Sequence, residues 1–173
     1  MIVKNEEKVL ERCLRSLHGI ADEIIVVDTG STDRTKEIAA KYTDKLYDFE
    51  WGNDFAKARN FSASKATGEW ILVVDADEFV DRENFQRFKE ELTTNPPELD
   101  INAVEIINFI GANANTTVKN LHTRLYKNNG KIKFHRLIHE VLRYEGGSGN
   151  FGVVNLQLFH SGYMSDTVKE KNK

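Results

Sequence analysis

One cysteine in 173 residues leaves no partner for an internal disulfide, so nothing in the chain requires an oxidising compartment and the cytosol is expected. Proline occurs twice, as the adjacent pair Pro96 and Pro97, and so interrupts the chain at one place only. Long apolar runs are absent: the longest, "WILVV" at 70–74, falls far short of the ~20 residues a membrane-spanning helix needs. No signal-peptide pattern opens the chain. An excess of positive charge is also missing, since 24 Lys and Arg face 27 Asp and Glu, and the net charge of −3 supplies no field for nucleic acid. The lone Cys13 recurs with Val9, Leu10, Leu14 and Leu17 at helical spacing in "VLERCLRSL", which makes it a small core residue rather than a reactive thiol.

What is present is an alternation of periods. After "MIV" a helix is expected over residues 6–17, a buried strand at "EIIVV" (23–27), a capped helix over 31–42 and a short strand at "KLYDF". A helix over 55–66, a strand at "EWILVV" (69–74) and a helix over 81–94 follow. Strands rich in Ile and Val between helices predict a mostly parallel sheet covered on both faces. Beyond the proline pair, "AVEIINFI", "HTRLYK", "HEVLRY" and "VVNLQLFH" read as strands of a smaller α+β part. One domain over 1–173 is expected, with a ligand-binding half at 1–95, a second half at 98–165, and both ends cut short. "GSGNFG" (147–152) matches G-x-G-x-x-G literally, but an alternating strand follows it instead of a helix, so it is a loop and not a dinucleotide cradle.

In open parallel sheets ligands bind outside the carboxyl ends of the strands. Asp28 stands at such an end in "DTGSTD", where it either completes the turn or accepts from a ligand hydroxyl or N–H. Asp75 and Asp77 stand at another, in "VVDADEF". They could serve as a phosphoryl nucleophile, a helix cap or a metal site. The nucleophile motif of haloacid-dehalogenase phosphatases wants Thr or Val where Phe79 stands, and Asp81 already caps the next helix. A hard divalent cation under a diphosphate suits two close carboxylates best.

"MIVKNEE", "EIIVVDTGSTDRT", "WGNDFAKARNFS", "ATGEWILVVDADEF", "RLYKNNGKIKFHRLIHE" and "FHSGY", in this order, resemble the family 2 glycosyltransferases of GT-A fold. The likeness covers nearly the whole chain. It points to a branch in which this domain precedes tetratricopeptide-type repeats and which includes glycocin peptide S-glycosyltransferases and lipopolysaccharide-core glucosyltransferase relatives. The fold it implies is α/β of Rossmann-like GT-A type with a smaller C-terminal α+β part. The activity it implies is metal-dependent, inverting transfer of a sugar from a nucleotide-diphosphate donor of the UDP-sugar kind to a glycan, lipid-linked or peptide acceptor. Mg²⁺ or Mn²⁺ is the implied cofactor. A soluble enzyme, peripheral at most at the inner face of the membrane, is the implied setting, and a homodimer is compatible with it.

By the same resemblance the stretch from Ile2, with Val3, Asn5 and Glu6, borders the nucleotide base, and Asp28 binds the nucleoside. Arg59 lies near the base or diphosphate, with a salt bridge on a helix surface as its alternative. Asp75 and Asp77 match the metal motif. Lys4 stands where many relatives carry an aromatic, which removes a stacking partner for the base. His139 and Glu140 in "HRLIHE" resemble the acceptor-side motif; Glu140 is the candidate general base, with pairing to Arg136 or Arg143 as its alternative. His135 and His139 are four apart, but their strand-like surroundings do not make the helical zinc motif. His160 in "FHSGY" would approach the metal or diphosphate, or else be a satisfied polar residue at a strand end. Two other functions share parts of this pattern. A sugar-nucleotide-forming nucleotidyltransferase would want a Gly-rich, Arg-containing loop after the first strand, which "KNEEKVLE" is not; an inactive sugar-nucleotide-binding or scaffold module would bind without turnover.

Overall fold

The computed structural model describes residues 1–110, 116–145 and 150–161. Residues 146–149, which hold part of "GSGNFG", and the charged stretch from 162 onward lie outside the described residues. The first half runs β1 (Ile2–Val3), α1 (Leu10–Leu17), β2 (Val26–Asp28), α2 (Thr35–Ala39), β3 (Leu46–Asp48), α3 (Phe55–Ala63), β4 (Trp70–Leu72), β5 (Glu78–Val80) and α4 (Arg82–Thr94). Among the described residues the second half holds strands only, without the helix that an α+β part would add: β6 (Ile101–Ile110), β7 (Thr116–Lys127), β8 (Ile132–His135), β9 (Val141–Tyr144) and β10 (Gly152–His160).

Local chemistry accounts for where the helices start. Asp54 and Asp81 cap α3 and α4, their side chains accepting from Lys57 N (3.0 Å) and Asn84 N (2.8 Å). α1 buries Leu10, Cys13, Leu14 and Leu17 on one stripe, as its spacing predicts, but begins four residues later than expected because residues 6–9 form a separate turn onto Glu6 O. α2 is much shorter than the expected 31–42. The N–H groups of Ser31, Thr32 and Arg34 go to the side chains of Asp28, Asn5 and Glu7, which holds residues 31–34 in a loop.

The α/β class is as expected, while the pairing is more mixed than a mostly parallel sheet. β1, β2 and β3 are parallel and form one three-stranded sheet. The larger sheet has the order β4-β7-β6-β10-β5, in which only β6 and β10 are parallel. β8 and β9 make a separate hairpin. β7 accounts for two of the antiparallel pairings, with β4 and β6, and the third belongs to β5, which is too short to show an alternation in sequence. It turns back after the Asp75–Asp77 segment and pairs antiparallel with β10, placing Glu78 opposite His160. The main core lies between the larger sheet and α1 and α4, from Cys13, Leu17, Phe85, Phe88, Val104, Ile106, Leu156 and Leu158. The hairpin docks on α3 through Asn60, whose amide donates to Phe134 O and accepts from Phe134 N, both at 2.9 Å.

Candidate active site

Two turns meet at the carboxyl ends of the strands. In the first, residues 3–7 interlock with residues 28–35. Val3 O accepts from Thr29 N at 2.9 Å. Asn5, at φ 55°, donates its N–H to Ser31 Oγ at 2.9 Å and accepts Thr32 N on Oδ1 at 2.8 Å. Glu6 N donates to Thr35 Oγ1 at 2.7 Å. Asp28 is 1% exposed, and its Oδ1 accepts from Gly30 N (2.9 Å) and Ser31 N (2.8 Å). Gly30 sits at φ 106°, a region a side chain would strain. Asp28 therefore does complete its turn, but with one oxygen only: Oδ2 is buried and accepts no hydrogen bond.

The second turn follows β4. Glu78 N donates to Asp75 O at 3.0 Å, and Asp75 N donates back to Glu78 Oε2 at 2.8 Å. The Asp75 carboxylate is shared between two guanidinium groups, with Oδ1 2.9 Å from Arg59 Nη2 and Oδ2 2.8 Å from Arg124 Nη2. Arg124 also reaches Glu78 Oε1 at 3.0 Å, and Arg59 Nε reaches Glu140 Oε1 at 2.5 Å. Asp77 Oδ2 lies 3.0 Å from His160 Nε2, whose other ring nitrogen is 2.9 Å from Asn108 Oδ1.

Burial and charge set the protonation of this cluster. Burial by itself would raise the Asp75 carboxyl; the neighbouring Arg124 and Arg59 outweigh it and hold Asp75 well below the usual carboxylate range. Glu78 is 2% exposed, and there burial wins over Arg124: its pKa is pushed up to about 7, with Asp75 adding to the rise. The hydrogen bond to Asp77 raises His160 against the opposing effect of burial. A cavity of about 440 Å³ lies elsewhere, lined by apolar groups such as Ile24, Trp70, Leu72, Phe85 and Tyr126. Arg59 reaches its wall; the carboxylates of the cluster do not line it.

The buried carboxylate of Asp28 at the end of β2, an acidic pair after β4 and a second half carrying Glu140 on Arg59 agree with one family, whose model, glycosyl transferase family 2, matches residues 1–151. The chain belongs to that family. It is 38% identical to a TPR repeat-containing protein of Synechococcus elongatus over 82% of this chain and 34% of that protein. It is 33% identical to the SPbeta prophage-derived glycosyltransferase SunS of Bacillus subtilis over 100% of this chain and 42% of SunS. The chain thus spans well under half the length of these two relatives. Against the lipopolysaccharide core biosynthesis glycosyltransferase LpsC of Rhizobium meliloti the identity is 26%, over 66% of that protein. Among solved structures, Staphylococcus aureus TarS superposes with a TM-score of 0.66 over 92% of this chain and 58% of that TarS chain, at 18% identity, which establishes the GT-A fold.

Within this family 2 domain the candidates fall into three groups. Val3, Asn5, Glu6 and Asp28 belong to the first turn. Asp75, Arg59 and Glu140 are joined in one ionic chain, and Asp77 is joined to His160. His139 is exposed at φ 54°, and among the described residues no hydrogen bond ties its ring to the others. Two of the alternatives are corrected by contact. Arg59 does form salt bridges, but its side chain is only 10% exposed, so they do not lie on a helix surface. Glu140 pairs with Arg59, not with Arg136 or Arg143. Arg124, Glu78 and Asn108 were not singled out by the sequence. Glu78 stood in plain view in "DADEF", but its burial depends on β5 pairing with β10.

The donor set fits a divalent cation only in company with a diphosphate. Among the described residues no group of three His, Cys, Asp or Glu side chains converges into a closed metal site. Mg²⁺ is commonly held by one or two carboxylates with substrate phosphates and water completing the shell; Asp77, and Asp75 through an oxygen that an arginine would have to release, would supply that number of hard oxygen ligands.

Proposed function

We propose that this domain transfers a sugar from a nucleotide-diphosphate donor, of the UDP-sugar class, to a hydroxyl- or thiol-bearing glycan, lipid-linked or peptide acceptor, with inversion. The observation that carries the reading is the buried Asp28 oxygen with no partner in the first turn. Leaving a buried acceptor unpaired costs about 1–3 kcal/mol, which a ribose hydroxyl or base N–H recovers on binding. Arg59 supports it from the other sign: buried in two ion pairs, it still keeps Nη1 without an acceptor, as a diphosphate-facing guanidinium would before its ligand arrives.

Each residue then has a task. Val3, Asn5 and Glu6 border the base, and Asp28 Oδ2 accepts from the nucleoside. Asp75 and Asp77 would hold Mg²⁺ or Mn²⁺, an ion that supplies charge neutralisation for the departing diphosphate. His160, bonded to Asp77, orients that carboxylate and faces the phosphates. Glu140 accepts the acceptor's proton as the new bond forms, oriented through Oε1 by Arg59, with His139 beside it in the chain.

The test is a thermal-shift and calorimetric panel of UDP-, GDP- and CDP-sugars with Mn²⁺ or with EDTA, followed by product detection on hydroxyl and thiol acceptors. A UDP-sugar is expected to raise Tm only with the cation, because close carboxylates repel a diphosphate until an ion intervenes. A panel in which no sugar nucleotide binds under either condition refutes the reading.

A further inference from the structure

Arg59 and Arg124 both neutralise Asp75, yet their remaining contacts differ. Arg59 has Glu140 as a second carboxylate and carries an unpartnered nitrogen, so it can release Asp75 Oδ1 without losing all compensation. Arg124 is instead held between two carboxylates through one nitrogen. Its Nη2 bridges Asp75 Oδ2 and Glu78 Oε1, and Glu78, 2% exposed, cannot give up that cation cheaply. Glu78 Oε2 accepts the Asp75 N–H in turn, so the Arg124–Glu78 pair grips Asp75 at both backbone and side chain.

The backbone is built for this contact. The β6–β7 register steps from Asn102 opposite Leu125 to Ala103 opposite Thr123, so Arg124 is the extra residue of a bulge. Bulges re-aim a side chain at the cost of a ladder position. The same bulge accepts Val73 N on Arg124 O at 2.8 Å, which anchors it two residues ahead of Asp75.

We propose that Arg124, braced by Glu78, is the positioning residue that holds Asp75 by Oδ2 and leaves Oδ1, once Arg59 swings away, for the divalent cation of the donor complex. The proposal rests on the donor-site reading above. Partners that orient a metal ligand are typically worth ~10–100-fold in metal affinity, so losing Arg124 should weaken the cation rather than the nucleoside.

The experiment measures Mn²⁺ binding by electron paramagnetic resonance in the presence of UDP, alongside uridine binding by calorimetry. Arg124→Lys keeps a positive charge opposite Glu78 but carries it on a shorter side chain that does not reproduce the position of Nη2 between the two carboxylates. It is expected to remain folded, to bind Mn²⁺ roughly 10–100-fold more weakly, and to bind uridine as the parent chain does. If Arg124→Lys does not fold, the double variant Arg124→Gln with Glu78→Gln, which removes charge on both sides, is expected to show the same loss of Mn²⁺. Parent-like Mn²⁺ affinity in whichever of these variants folds overturns the proposal and leaves Arg124 a fold-stabilising residue. A parent chain that binds no Mn²⁺ with UDP refutes the metal reading itself, and the positioning role falls with it.

Discussion

Asp28 ends β2 and Asp75 follows β4, and the two carboxylates are held by different kinds of partner. Asp28 takes N–H groups from two and three residues ahead in its own turn. Asp75 takes guanidinium groups from residues 16 and 49 positions away. The first arrangement is local and neutral on the donor side, and it leaves one oxygen over. The second is an alternating run of charges, Glu140–Arg59–Asp75–Arg124–Glu78, in which each member's cost of burial depends on the next. A turn that satisfies its carboxylate with its own N–H groups needs no distant partner; a turn with two largely buried carboxylates needs charge compensation that it does not itself contain.

The comparison breaks most visibly at Asp77. Its side chain is 32% exposed, so Asp77→Asn opens no core cavity and should keep Tm within a few degrees. Transfer is expected to fall by about 10²–10³-fold, the scale of losing one electrostatic stabiliser. A large drop in Tm in that variant would make Asp77 structural and erase the distinction between the two turns.

Asp28 separates its two oxygens by substitution. Asp28→Ala removes the acceptor of two N–H groups and should cost about 1–2 kcal/mol in denaturant unfolding. Asp28→Asn keeps one acceptor oxygen for the turn, so its stability should be closer to the parent. Uridine or UDP binding is expected to weaken in both. An Asn variant with parent affinity would confine Asp28 to turn formation.

The charged turn should also respond to pH, through the buried carboxylate of Glu78. Burial raises Glu78 from 4.5 in the unfolded chain to about 7 in the fold. The folded state then binds the extra proton, so its contribution to stability is complete below about 4.5 and is lost as pH rises through about 7. Glu78→Gln mimics the protonated form, and its Tm should decline less than that of the parent between pH 5 and 8. Parallel pH profiles would show that Arg124 keeps Glu78 ionised throughout.

The smallest effect is expected at Cys13, 0% exposed against Val74 and Leu17, where burial pushes the thiol far above its ordinary range. Under native conditions at pH 8 a maleimide should leave it unmodified, and in denaturant it should react at once. Rapid native labelling would mean that the α1 face opens, and with it the core beneath both turns.

Much of this was legible in the chain. The apolar stripe of α1, the cap Asp81, and the strand-then-aspartate pattern at Asp28 and Asp75 depend on contacts a few residues apart, and each was found where expected. What escaped were short or long-range features. β5 is three residues long and has no readable period, and α2 lost its first turn to side chains from residues 5–7. Arg124 looked like any polar residue of a strand because a bulge has no signature in an alternation broken at a single step.

The sequence by itself therefore determined the order of the helices and of every strand but β5 and β8, the family, and the two acidic turns at strand ends, because hydrophobic period and N–H capping act over one or two turns of backbone. Only the tertiary structure decided which cations neutralise those carboxylates. That choice follows from strand pairing, β5 beside β10 and β7 bulged against β6, which carries Arg124 and His160 across the chain to Asp75 and Asp77. Charges attract at a distance, but in a folded chain their partners are selected by the register of the sheet that carries them.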